Sequence, residues 1–251
     1  MARNGRESAL SGLAEYIGSV FRQLLQGISR HLPSQCAVCH AWPSHSVCEA
    51  CVAAFAQPVA RCHTCALTLH STGVHQCGAC IVAPPPLDAC FAALPYAYPW
   101  SSLIADFKFH QHPGWATSFA ALLRAAPWVE PALDATDLLL PMPLSKERLR
   151  ERGYNQAHVL ACALDAPKVA HGILLRVLDT PPQRTLPRSE RLRAVQDAFA
   201  VDPLQAHRVR QRRVALVDDV MTSGASLHAA ARVLRGAGAA HITALVLART
   251  E

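Results

Sequence analysis

The sequence predicts an α/β protein, a parallel sheet flanked by helices, preceded by a small cysteine-rich module. Three observations carry this. After residue 87, apolar runs of strand length alternate with helical segments of ten to fifteen residues, the arrangement of βαβ units. Between residues 36 and 80, eight of the ten cysteines fall into four C-x-x-C pairs. Pro84, Pro85 and Pro86 separate the two regions, since three successive prolines can neither continue a helix nor sit in a central strand. The expected division is therefore an amphipathic helix over residues 1–32, a metal module over 33–83 and an α/β domain over 87–251.

The first segment carries Leu10, Leu13, Ile17, Val20, Phe21, Leu24 and Ile28 at helical spacing. It lacks the compact apolar stretch and small-residue cleavage site of an export signal. It reads as a helix docked on its own protein, with a partner- or membrane-surface helix as the alternative. No run of apolar residues is long enough to span a bilayer, and the chain reads as cytoplasmic. A hydrophobic content of 51% with 17% charged residues describes an ordered globular chain. The net charge of +6 suits phosphate-bearing ligands.

The cysteine pairs are Cys36/Cys39, Cys48/Cys51, Cys62/Cys65 and Cys77/Cys80. A C-x-x-C turn aims two thiolates at one point, half of a tetrahedral zinc shell, so four turns make two four-cysteine zinc sites. A disulfide framework belongs to secreted chains, and a redox C-x-x-C is expected once, beside a βαβ unit. Consecutive pairing closes the shortest loops and is expected on that ground; crossed pairing stays open, because its longer separations bracket the usual ribbon spacing. His40, His45, His63 and His75 could replace a thiolate but read as bystanders. Cys90 and Cys162 have no partner at metal spacing and read as small buried hydrophobes.

In the α/β region, CFAALPYAY reads as a strand, SSLIADFKF and WATSFAALLRAA as helices, and DLLLPMP as a buried strand. NQAHVLACALDA is a helix, RRVALVDDV a strand, SLHAAARVLRGAG a helix ending in glycine, and HITALVLA a final strand. Two segments depart from the pattern. One is PLSKERLRERGYNQA, with Lys146, Arg148, Arg150 and Arg152. The other is polar and proline-interrupted, with Arg184, Arg188, Arg191 and Arg193. Either could be a solvated face. Ligands of open α/β sheets nevertheless bind outside the carboxyl ends of the strands, where the first of these segments begins.

The stretch VALVDDVMTSGASL, residues 214–227, drives an apolar strand into two carboxylates and then five small residues. Unpaired carboxylates do not belong in a dry core. Thr222, Ser223, Gly224, Ala225 and Ser226 turn from strand into helix, where backbone N–H groups form an anion site and small side chains let a phosphate approach. Asp218 and Asp219 suit the hydroxyls of a ribose. Together the two halves describe a ribose 5-phosphate.

This stretch resembles the signature of the type I phosphoribosyltransferases, whose common substrate is 5-phosphoribosyl 1-diphosphate. With PMPLSKERLRERGYNQA, LRVLDTPPQRTLPRSER and the four C-x-x-C pairs, the chain resembles the ComF family over about residues 33–249. That resemblance implies a double zinc ribbon joined to a type I phosphoribosyltransferase domain and an association with DNA uptake in natural competence. It implies that Asp218 and Asp219 bind ribose and residues 222–226 the 5-phosphate. Arg148, Arg152 and Asn155 become candidates to touch diphosphate, and residues 180–193 correspond to the loop that closes over the site. Magnesium is implied, because a diphosphate leaving group needs its charge neutralised. The chain departs from the family at His40 and Ala66, where glycine usually follows the cysteine, and at Ala194, commonly asparagine.

Three functions are compatible with this reading. The first is an enzyme that transfers phosphoribosyl to an unidentified acceptor. The second is a non-catalytic component that handles single-stranded DNA or docks on competence-machinery proteins. The third is a phosphoribosyl-diphosphate sensor. No general base stands out.

Overall fold

The computed structural model describes residues 34–71, 73–178 and 197–251. The helix expected over residues 1–32 and the basic segment 180–193 lie outside the described residues. The chain divides into two compact units, Met1–Val52 and Ala53–Glu251. Two of the four C-x-x-C pairs fall in each unit.

In the first unit, an antiparallel bridge between Ser34 and Ser44 closes a cysteine knuckle. Helix α1 (Glu49–Phe55) follows from Cys48, and its residues up to Val52 belong to this unit. The second unit opens the same way, with a bridge between Arg61 and Thr68 and then α2 (Gly78–Val82), which Cys77 precedes. After the triple proline come β1 (Ala89–Pro95), α3 (Trp100–Phe109), α4 (Trp115–Ala125), α5 (Val129–Asp134) and β2 (Leu138–Pro141). Next are α6 (Lys146–Arg152), α7 (Gln156–Asp165), a 3₁₀ turn at Ala166–Lys168, β3 (Leu174–Arg176) and β4 (Phe199–Val201). A 3₁₀ turn at Ala206–Arg208, β5 (Arg213–Met221), α8 (Ala225–Gly236) and β6 (His241–Arg249) complete the described chain.

β1, β6, β5 and β2 form one parallel sheet in that order. α7 packs on β2 and β5, α4 on β1 and β6, and α8 on β4, β5 and β6. Helices over the strands explain why β5 and β6 are runs of Val, Leu, Ile and Ala and do not alternate in polarity. β3 and β4 pair antiparallel apart from this sheet, a small element the periodicity does not reveal. All eight regular elements read from the α/β sequence are present, within a few residues at their ends. α5, α6 and the β3–β4 pair are additions.

Strand lengths create the opening for a site. β2 pairs with β5 only over Leu138–Pro141 against Val214–Val217, and Met142 adds a last bond by donating its N–H to the Val217 carbonyl. Prolines at 141 and 143 limit the pairing of β2 beyond that point. β5 continues for four further residues with only β6 beside it, through Asp218↔Val246 to Met221↔Arg249. Both aspartates stand on this extension, so they can be strand residues and still face an open crevice. Among the described residues no helix is long and apolar enough to cross a membrane.

Candidate nucleotide site and cysteine clusters

The crevice at the carboxyl end of β5 is a cavity of about 150 Å³. Asp218, Asp219, Arg148, Arg152, Asn155 and Ser226 all line it, so the sequence-predicted residues from two distant segments come together. Lys108, Gln156 and Arg176 line it too, and these were not foreseen. Lys108 is the chief omission. It projects from α3 and places Nζ 2.9 Å from Asp219 Oδ1, with both side chains largely buried. Its only signal in the sequence is a single lysine between two phenylalanines, the one basic residue of that helix.

The two aspartates are therefore unlike. Asp219 has its cation. Asp218 accepts the N–H of Asp219 at 2.9 Å, and burial, reinforced by the neighbouring carboxylate, pushes its pKa up from the ordinary 3.8 to about 7. A half-buried carboxyl in that range accepts hydroxyl groups readily and gains from any added positive charge.

Arg152 stacks its guanidinium over the Phe109 ring at 5.1 Å and donates to Gln156 Oε1 at 2.9 Å. Burial lowers its pKa and the charge of Arg148 lowers it further, while both aspartates oppose the shift. Such a cation favours an incoming anion. α6, the helix carrying Arg148 and Arg152, starts with the Ser145 hydroxyl accepting the Arg148 N–H and ends at Gly153 in the left-handed conformation. Asn155, a candidate diphosphate contact, also has a structural job. Its Oδ1 accepts the His158 N–H to cap α7, and its Nδ2 donates to the Met142 carbonyl at 3.0 Å. Asn155 thus lines the cavity while fixing the loop after β2.

Thr222, Ser223, Gly224, Ala225 and Ser226, with Asp218, line an adjoining hollow of about 40 Å³. Asp218 and Ser226 belong to both spaces, so the two are contiguous. Gly224 is the N-cap of α8, in the left-handed region at φ 78°, and has no side chain to cap the helix. A Cβ at Gly224 would stand 2.5 Å from Met221 Cε. The turn therefore presents a helix N-terminus beneath small residues and hydroxyls, with Ser223 Oγ accepting the Ala225 N–H at 3.4 Å. An anion is what such a feature accepts.

The eight paired cysteines form two clusters, Cys36, Cys39, Cys48 and Cys51 in the first unit and Cys62, Cys65, Cys77 and Cys80 in the second. Consecutive pairs join, as the shorter loops predict. Neighbouring sulfurs are 3.9 Å (Cys36–Cys51), 3.5 Å (Cys39–Cys48) and 3.7 Å (Cys65–Cys77) apart. A tetrahedron of thiolates about 2.3 Å from a central ion has edges of about 3.8 Å, so the sulfur sets fit a structural metal. In both clusters the first cysteine's sulfur accepts a backbone N–H from the third, Cys48 to Cys36 and Cys77 to Cys62, each at 3.3 Å. Burial pushes Cys36 and Cys62 up, but hydrogen bonds outweigh it, from backbone N–H groups at Cys36 and led by the Thr64 hydroxyl at Cys62. Both thiols settle at about 6. Burial and the neighbouring sulfurs raise Cys51 to about 12, and burial leads the upward shift of Cys65. One thiol in each set ionises easily and its charge opposes the next, a conflict a bound cation removes.

His40 and Ala66, the residues standing where family members usually have glycine, have φ of 61° and 55°. Both knuckles need a left-handed residue, and this chain meets the need without glycine. No histidine belongs to either cluster. Cys90 is buried against Met221, whereas Cys162 is only half-buried, beside His158 at 3.6 Å, in place of the full burial expected.

Residues 142–251 match the phosphoribosyl transferase domain family. The chain is 34% identical over 197 residues to competence protein F of Haemophilus influenzae, covering 75% of this chain and 84% of that protein. The chain belongs to the ComF family. DNA utilization protein YhgH of Escherichia coli K12 is 30% identical to this ComF-family chain over 237 residues, 87% of this chain and 98% of the relative. Competence protein ComFC of Bacillus subtilis is 40% identical over 114 residues, 45% of each chain. The site described above, Met142 to Ser226 together with Lys108, lies within the matched residues 142–251 apart from that lysine, which α3 contributes from outside them.

Proposed function

We propose that this ComF-family protein binds 5-phosphoribosyl 1-diphosphate and transfers its phosphoribosyl group to an acceptor in the handling of incoming DNA. The observation that carries the reading is the contiguity of the two hollows. An anion-accepting helix start shares Asp218 and Ser226 with a cavity holding two carboxylates and Lys108, Arg148, Arg152 and Arg176. A 5-phosphate on the turn and a diol over the aspartates leave the diphosphate among the cations.

Residues 222–226 anchor the phosphate through backbone amides and hydroxyls. Asp218 accepts from the ribose hydroxyls, while Lys108 holds Asp219 in place. Arg148 and Arg152 stabilise charge on the departing diphosphate. Magnesium fits the donor set, since among the described residues Asp218 makes no ion pair like that of Asp219 with Lys108, and when bound it would supply charge neutralisation for the leaving group. Zinc is the ion proposed for the two cysteine clusters, on the all-thiolate donor set. The names of the relatives, competence protein and DNA utilization protein, support a place in DNA uptake. They also keep a second reading in view, a single-stranded DNA component whose nucleotide site is regulatory, and we assign the protein to the cytoplasm on either reading.

The test is calorimetry with phosphoribosyl diphosphate and Mg²⁺. Wild-type protein gives saturable heat, and Asp218→Asn/Asp219→Asn gives none. Absence of heat from the metal-loaded wild type overturns the reading.

A further inference from the structure

Arg249, the last residue of β6, is only 6% exposed. Among the described residues it makes no salt bridge with any carboxylate. Its donors go instead to backbone oxygens of Cys65, Met221 and Thr250 and to the Thr250 hydroxyl. Nε donates to the Cys65 carbonyl at 2.9 Å, and Nη1 donates to the Met221 carbonyl at 3.3 Å and to the Thr250 carbonyl. Cys65 belongs to the second cysteine cluster, in the knuckle that Ala66 closes in the left-handed conformation. Met221 is the residue before the phosphate turn.

The surroundings tighten this link. The Met221 carbonyl also accepts the Thr250 N–H at 3.1 Å. The Met221 sulfur lies 3.6 Å from the Cys90 thiol, and its methyl group fills the space beneath Gly224 where a Cβ would stand. Cys62, Cys65, Cys80, Cys90, Met221 and Ala225 belong to one packed core. A line of direct contacts therefore runs from the cluster through Arg249 and Met221 to the turn.

We propose that Arg249 is a positioning residue through which the second cysteine cluster holds the phosphate turn, so that metal retention in that cluster and anion binding at the turn strengthen each other. The inference rests on the reading that the turn binds a ribose phosphate. A metal-bound knuckle presents the Cys65 carbonyl at a fixed place. When the metal leaves, Arg249 loses an acceptor in a buried setting, where an unsatisfied charged donor is costly. The loss reaches the turn through the Met221 carbonyl. Linkage requires the effect to run both ways: an anion that orders the turn slows metal loss by the same coupling factor. The first cluster lies in the other compact unit and makes no such contact through Arg249, so it serves as an internal control.

The experiment uses the full-length, metal-loaded protein. Metal release to a chromophoric chelator is followed with and without saturating ribose 5-phosphate, and binding of ribose 5-phosphate is measured independently by calorimetry. The expected result is two release phases, one slowed about 5-fold or more by ribose 5-phosphate and the other unchanged. In Cys36→Ser/Cys39→Ser only the responsive phase remains. Arg249→Lys keeps the charge but cannot span both carbonyls; it should retain both metals, bind ribose 5-phosphate several-fold more weakly and show no ligand effect on release. If the lysine variant does not fold, the wild-type release data alone decide. Binding of ribose 5-phosphate without any change in release, or equal slowing of both phases, overturns the coupling alone. No binding of ribose 5-phosphate overturns the donor-site reading and the coupling with it.

Discussion

Gly224 shows at a single position what the phosphate turn demands. Its φ of 78° and the methyl of Met221 beneath it leave no place for a side chain. Gly224→Ala should cost about 1–2 kcal/mol in urea unfolding through left-handed strain. Gly224→Leu should also abolish ribose-phosphate affinity, with single-stranded DNA binding, if measured in parallel, little changed. His40 and Ala66 present the converse case, left-handed residues that are not glycine. His40→Gly should relieve roughly 1 kcal/mol of strain and slow metal loss from the first cluster. Ala66→Gly should gain less, because its methyl group is fully buried. Asp218 makes the site sensitive to pH. Its folded pKa of about 7 exceeds the ordinary 3.8, so the folded chain keeps a proton that the unfolded chain releases. Its contribution to stability is complete below about pH 3.8 and is lost as the pH rises through 7. Asp218→Asn should therefore melt higher than wild type at pH 8, with the gap closing toward pH 5. Ribose-phosphate affinity, which draws on the ionised carboxylate, should rise through pH 7 in wild type and stay flat and weak in the variant.

β5 is the element that makes the site, because it outruns β2 by four residues and carries both aspartates on the excess. That much was legible. The apolar run announced the strand, the paired acids announced that its end was open, and Pro141 and Pro143 announced where its neighbour stopped. The order of strands in the sheet was not legible, nor was α3 as a contributor, because Lys108 meets Asp219 only after the chain has folded across the sheet. Asn155 was read as a diphosphate contact; its capping of α7 and its tie to Met142 were not read. An asparagine just before an apolar helical run is a capping signal as much as a ligand signal. The importance of α3 can be measured. Lys108→Met leaves Asp219 buried without its cation and should destabilise the protein by about 3–5 kcal/mol in denaturant unfolding. Adding Asp219→Asn should recover much of the loss. A double variant as unstable as the sum of the singles would show that the pair is not coupled.

The molecule as a whole uses one cysteine motif twice in different company. The first cluster stands in a small unit of its own, with Cys39 exposed; the second is built into the core that holds the sheet. Spacing alone could not separate these roles, because the two pair-of-pairs look alike until β6 and its arginine are in place. Cys36→Ser/Cys39→Ser should unfold the first knuckle and leave the main thermal transition of residues 53–251 near its wild-type temperature. Cys62→Ser/Cys65→Ser should lower that transition markedly, since metal binding there is folding energy shared with the sheet. The packing also sets an order of assembly. Cys65 is held by Arg249 across a sequence separation of 184 residues, and Thr68 donates to Glu251 across 183. During synthesis the first knuckle has all its sulfurs within a short stretch and can close early. The second emerges soon afterwards, yet its buried support follows 184 residues later, and contacts of such separation form late. A ribosome-bound chain stalled before residue 241 should therefore retain metal in its first cluster and surrender it readily from its second.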